Sequence, residues 1–183
     1  INTRYASGFE GGSAITMVSY ANRLYIIIVG VFSFVATNLL FPRLSRAEAG
    51  GDRDGAKKFA GSSIKILLYI MIPLSVGIFL LAEPITRAIY MRGEFTAQDA
   101  AMTASVLRLF AVGIPFMSAN EVLTKLYFAM QRVKAPMIAS LAAIACNIVL
   151  VTVLVNTIGF DGIGIASSLT IAICAALTYV FLS

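Results

Sequence analysis

The chain has 183 residues, 59% of them hydrophobic and only 13% charged, with 14 basic residues against 9 acidic ones and a net charge of +5. Soluble domains carry about 25% charged residues, and a fold of this size has too much surface to be so apolar in water, so lipid is the solvent that fits and an all-α, polytopic membrane bundle is the expected fold class. There is no His and no Trp, and Cys146 and Cys174 both sit in apolar runs; the two cysteines read as small buried hydrophobes, and no metal, disulfide framework or cofactor is expected.

A helix needs roughly 20 apolar residues to cross the hydrocarbon. Five segments qualify, approximately 13–42, 64–82, 97–130, 136–158 and 162–183. Helix is the expected state of each, because an open sheet leaves backbone groups unpaired in lipid and a barrel needs short strands of alternating polarity. In the first segment no charge falls between Leu24 and Phe41. The second contains Pro73, which removes a backbone donor and predicts a kink. The connector Glu83-Pro84-Ile85-Thr86-Arg87-Ala88-Ile89-Tyr90 is amphipathic, with Pro84 suited to a first helical turn and Gly93 to a stop, and reads as a short interfacial helix. The third segment would reach about 50 Å as one helix, and Gly113 and Pro115 near its middle predict a kink there too. Gly159, Gly162 and Gly164 mark a tight turn into the fifth, whose small residues Gly164, Ala166, Ser167 and Ser168 suit close helix packing.

The connectors differ in charge. Residues 43–65 carry Arg43, Arg46, Arg53, Lys57, Lys58 and Lys65 against Glu48, Asp52 and Asp54, and Arg132 and Lys134 precede Pro136. The alternate connectors are poorer in base: Arg87 and Arg92 against Glu83, Glu94 and Asp99, and Asp161 alone near Phe160. Both basic connectors fall on one side of five alternating spans, which makes that side cytoplasmic, the N-terminal end outside and Ser183 inside. The bases thus read as topology signals, and nucleic acid is not an expected partner. The chain opens on Ile1-Asn2-Thr3-Arg4 without an initiator Met or signal peptide and stops at Phe181-Leu182-Ser183 inside an apolar run, so an internal piece of a larger protein is expected.

Ionisable residues inside spans are costly and mark cavities or partners. Four stand out. Arg23 follows Asn22 and is flanked by Tyr20 and Tyr25; its planar fork suits a phosphate or pyrophosphate, and the alternative is an arginine reaching to the outer interface. Arg108 has no evident local partner, so it faces a water-filled cavity or pairs with a helix outside the chain. Glu121 and Lys125, four apart, share a helix face in the favourable order and read as a neutralised pair near the cytoplasmic end, with Lys125 reaching to the interface. No catalytic constellation is present: no His, no Cys beside a base and no Gly-rich phosphate loop, so an enzyme is not expected.

Specific strings add a resemblance. Ser19-Tyr20-Ala21-Asn22-Arg23-Leu24 followed by Gly30-Val31-Phe32 is similar to the start of the eighth helix of MurJ/MviN lipid II flippases. Leu40-Phe41-Pro42-Arg43-Leu44-Ser45-Arg46 resembles that family's helix exit, Gly93-Glu94-Phe95-Thr96 with Asp99 its motif after the next hairpin, and Tyr127-Phe128-Ala129 with Lys134 and Pro136 its next cytoplasmic turn. The strings keep family order and spacing over essentially the whole chain. The resemblance implies a lobe fragment, roughly helices eight to twelve of about fourteen, from a two-lobed exporter of the multidrug/oligosaccharidyl-lipid/polysaccharide superfamily in the bacterial cytoplasmic membrane. It implies export of undecaprenyl-pyrophosphate-linked disaccharide-pentapeptide, lipid II, for peptidoglycan synthesis by alternating access, with the lipid-linked precursor, membrane lipids and a missing first lobe as partners. It makes Arg23 a cavity arginine contacting the headgroup pyrophosphate, with Asn22 beside it and Arg108, Glu121 and Lys125 as cavity or structural charges. Two departures stand out: Asn22 replaces a common Asp, which leaves Arg23 less neutralised or paired elsewhere, and Ile28 replaces a proline, which predicts a straighter helix. A related exporter of lipid-linked polysaccharide units or drugs is the alternative.

Overall fold

A computed structural model describes residues 13–92 and 95–181; the opening Ile1 to Arg4, the Gly93-Glu94 pair and Leu182-Ser183 lie outside them. The described residues are helical almost throughout. Helix α1 is Ser13–Val35, followed by a π-helical segment Ala36–Leu40 and α2, Phe41–Ala49. Next come α3, Arg53–Tyr90, α4, Ala97–Ala129, α5, Lys134–Ile158, and α6, Asp161–Val180. Four of these, α3 to α6, are long and apolar enough to cross a membrane, and α1 contributes a shorter apolar stretch, Thr16–Val31.

Three boundaries differ from the sequence expectation. Hydropathy ends the second span at 82 and places a separate interfacial helix after it; instead α3 runs unbroken through Pro73 and Pro84 to Tyr90. It also starts early, at Arg53, because the Asp52 side chain accepts the Gly55 N–H at 2.8 Å and caps the first turn. Hydropathy marks the part of a helix that sits in lipid, and α3 extends past that part at both ends. The first span is expected to stop at Pro42, but the chain stays helical to Ala49. The wider π turn lies just before Pro42, so the missing N–H falls where the hydrogen-bond ladder is already changing its repeat.

The centre of the bundle is α4. Helices α1, α3 and α6 pack directly against it, while α5 packs mainly on α6. Near the N-terminal end of α4, Ala104, Leu107, Phe110 and Ile114 are buried against Val18 and Leu24 of α1 and Met71 and Ile78 of α3. Near its C-terminal end, Val122 and Leu126 pack with Leu44 of α2 and Ala56, Ala60 and Leu67 of α3. By contrast Tyr69, Leu80, Leu141 and Val149 are exposed. In water such surfaces would aggregate; in lipid they face their solvent. Cys146 lies on that exposed side of α5 and Cys174 is half-buried, so only their apolar setting, not their burial, follows the sequence expectation.

In lipid no hydrophobic force drives helices together, so close approach and interhelical hydrogen bonds carry the packing. Small residues supply the approach. A Cβ on Gly164 of α6 would lie 2.6 Å from the Leu109 Cβ of α4, and one on Gly113 would lie 3.2 Å from the Ser168 Oγ. Side-chain hydroxyls supply the bonds. Tyr127 donates to the Thr178 carbonyl at 3.1 Å, Thr86 to the Ala100 carbonyl at 3.2 Å, and Ser168 to the Leu109 carbonyl. Ser75 of α3 donates to the Ala111 carbonyl at 2.6 Å. Ala111 lies four residues before Pro115, which has no N–H to offer it. The neighbouring helix thus satisfies the acceptor that the proline leaves open.

Candidate substrate-facing surface

Helix α1 has two unlike faces. Val18, Ala21 and Leu24 are buried, the Met17 sulfur accepts the Thr103 hydroxyl at 3.3 Å, and the Tyr25 ring meets Phe110 at 5.5 Å between centroids. The Tyr25 hydroxyl is buried without a hydrogen-bond partner among the described residues. On the other face Asn22, Arg23, Ile26, Ile27, Gly30 and Val31 are exposed. That spacing is one continuous helical stripe, and nothing in the described chain covers it. Asn22 and Arg23 are its polar head.

Arg23 is placed by aromatic rings. Its guanidinium carbon lies 5.9 Å from the centroid of the Tyr20 ring. Tyr20 in turn packs on Tyr90, at 4.6 Å between centroids, and on Phe95 at 5.5 Å. The Tyr90 hydroxyl donates to the Tyr20 carbonyl at 3.3 Å. Among the described residues no carboxylate pairs with Arg23.

The other span charges are placed differently. The sequence offers Arg108 only a cavity or an outside helix, but the structure supplies Glu83 of α3, with Nη2 to Oε2 at 3.4 Å. Glu83 also binds Arg87 one turn on, at 2.8 Å, and so bridges two arginines. Sequence reasoning misses Glu83, 25 residues from Arg108, because it reads as part of a surface connector. Glu121 and Lys125 pair at 3.4 Å with both side chains largely buried, and the Lys125 ammonium lies 6.0 Å from the Phe128 ring centroid. Arg23, Arg108 and the Glu121–Lys125 pair are thus not drawn into one cluster. The family-like Thr96 and Asp99 serve the fold. Thr96 Oγ1 accepts the Asp99 N–H at 3.2 Å while the Asp99 carboxylate accepts the Thr96 N–H at 2.9 Å, a capping box that starts α4.

A largely apolar recess of about 240 Å³ with a few polar side chains lies between α4, α5 and α6, lined in part by Met117, Asn120, Ile144, Asn147, Thr170 and Ile171. Asn147 Nδ2 donates to Thr170 Oγ1 at 2.9 Å. Asn120 Oδ1 is buried with no partner among the described residues. Sequence reasoning passes over these uncharged polar residues because each is isolated within its apolar run.

A stack of long apolar helices around α4 defines a multi-pass helical membrane protein. Comparison with known proteins narrows the class. All of residues 1–183 match the family described as "Lipid II flippase MurJ", and the chain belongs to that family. Among its relatives described as "Probable lipid II flippase MurJ", one from Bdellovibrio bacteriovorus is 32% identical over 177 residues, covering 97% of this chain and 34% of the relative. Another, from Rickettsia prowazekii, is 31% identical over 169 residues, covering 92% and 33%. A solved structure titled "Lipid II flippase MurJ, inward closed conformation" superposes with a TM-score of 0.87 at 26% identity, covering 97% of this chain and 37% of that one. The chain spans about a third of the length of these curated relatives. The family is one of flippases of the bacterial cytoplasmic membrane rather than a catalytic family.

Proposed function

We propose that this chain forms most of the second lobe of an exporter that carries lipid II from the inner to the outer leaflet by alternating access. The match of the whole chain to the lipid II flippase family carries this reading. In it the exposed α1 stripe faces the central cavity, and the first lobe, outside this chain, completes that cavity. Arg23 contacts the headgroup pyrophosphate. Its guanidinium matches phosphate oxygens in a planar fork, and no described carboxylate occupies that fork. Asn22, exposed beside it, adds amide donors without the charge that would repel a pyrophosphate. Arg108 and the Glu121–Lys125 pair are structural charges, neutralised within the lobe. In this reading the full-length protein transports rather than catalyses, this chain holding only part of its cavity, and the basic connectors face the cytoplasm.

The test is complementation of a flippase-depleted bacterium by the full-length gene. Wild type is expected to restore growth, and Arg23→Ala at equal membrane abundance to restore it poorly or not at all. Full rescue by Arg23→Ala would remove Arg23 from the site. Failure of the wild-type protein, correctly inserted, would sink the assignment of substrate.

A further inference from the structure

We infer that Tyr20 is a positioning residue for Arg23, held by Tyr90 and Phe95 of the α3–α4 hairpin so that the guanidinium is presented to an anionic headgroup with no described carboxylate on its donors. The inference rests on the reading of Arg23 as a headgroup contact. An exposed arginine on a membrane helix needs something to hold its charge, and two kinds of partner occur in this chain. Glu83 holds Arg87 and Arg108 by accepting their N–H groups. A carboxylate so placed consumes donors and cancels the charge, leaving less for a pyrophosphate. An aromatic face attracts the cation through its ring quadrupole and consumes no N–H. At Arg23 the partner is the ring, 5.9 Å from the guanidinium carbon.

The ring is itself fixed. Tyr20, Tyr90 and Phe95 all touch one another, with centroids 4.6, 5.5 and 5.8 Å apart. The Tyr90 hydroxyl reaches back to the Tyr20 carbonyl, three residues before Arg23. Tyr90 is the last residue of α3, and Phe95 lies just before the Thr96 cap of α4. The clasp therefore joins the outer part of α1 to the α3–α4 hairpin and fixes the Tyr20 ring beside the headgroup contact. A bland alternative is an interfacial aromatic belt that only anchors the lobe.

The two are separated by binding of a polyprenyl pyrophosphate to the purified full-length protein and its variants. Arg23→Ala is expected to weaken binding roughly tenfold or more, the loss of a charge-assisted contact. Tyr20→Phe, which keeps the ring, should bind like wild type. Tyr20→Leu should weaken binding about two- to fivefold, the size of an exposed cation–π contact, and should cost nothing further in an Arg23→Ala background. Tyr90→Phe, which removes only the hydroxyl on the Tyr20 carbonyl, should show the same coupling at smaller size. If Tyr20→Leu binds like wild type, or adds its full loss to that of Arg23→Ala, the positioning role is wrong and the headgroup contact stands. If Arg23→Ala itself binds like wild type, the headgroup reading has failed and the positioning role falls with it.

Discussion

Replacing Ser75 with Ala should weaken the α3–α4 pairing at a point where the backbone cannot compensate. Ser75 is buried, and its hydroxyl lies 2.6 Å from the Ala111 carbonyl. In an unbroken helix that carbonyl would accept the N–H of residue 115, but residue 115 is proline. Interhelical side-chain hydrogen bonds in membranes average about 0.6 kcal/mol and reach about 1.7. Leaving a buried acceptor unsatisfied costs about 1–3 kcal/mol. The expected loss for Ser75→Ala is therefore about 1–2 kcal/mol, the upper part of the interhelical range combined with the lower part of the desolvation range. The assay is reversible unfolding of the full-length protein in mixed micelles, run as a double-mutant cycle with Pro115→Ala. Alanine at 115 returns the N–H, so Ser75→Ala in that background should cost less than about 0.5 kcal/mol. Equal cost in both backgrounds would refute the idea that the serine serves the acceptor opened by the proline.

Glu83→Ala and Arg108→Ala should each destabilise by about 1 kcal/mol or less, because the pair is a third exposed and partly screened. The double variant should cost little more than one single, and additive losses in the same unfolding assay would show that the two do not interact. Gly162→Ala should cost about 1–3 kcal/mol, since its Cβ would lie 2.5 Å from the Leu154 carbonyl oxygen, a backbone atom that cannot swing aside. Gly61→Ala in α3, where nothing lies within 4 Å, is the control and should be neutral or slightly stabilising; equal losses at the two glycines would contradict the packing described for the α5–α6 turn.

Much of the architecture is legible in the sequence because lipid imposes a simple rule. Apolar length marks the membrane-spanning part of each helix, and the expected segments 97–130 and 136–158 meet observed helices Ala97–Ala129 and Lys134–Ile158. Helix ends outside lipid are less legible. Lys57, Lys58 and Lys65 look like connector, yet they lie on a helix whose other side buries Ala56 and Ala60. Pro84 looks like a helix start, yet it lies inside α3. The ion pair of Arg108 is hidden for another reason: finding Glu83 requires the register of α3 on α4, which hydropathy does not contain. The Ser75 bond is hidden more deeply, because its acceptor is a backbone carbonyl that no residue type announces. Arg23 is legible as a polar residue in an apolar run, whereas its aromatic setting needs Tyr90 and Phe95, far along the chain, to be brought to Tyr20.

The central claim is that the protein to which this lobe belongs moves lipid II outward. The most direct measurement is the exposure of lipid II at the outer face of living cells, read by cleavage with a headgroup-cutting enzyme added from outside while the full-length protein is depleted. Lipid II is expected to accumulate inside, and the externally cleavable fraction to fall towards zero as the protein is lost, with recovery on re-expression. An externally cleavable fraction that stays constant through depletion, in cells lacking another exporter of the same lipid, would contradict the claim.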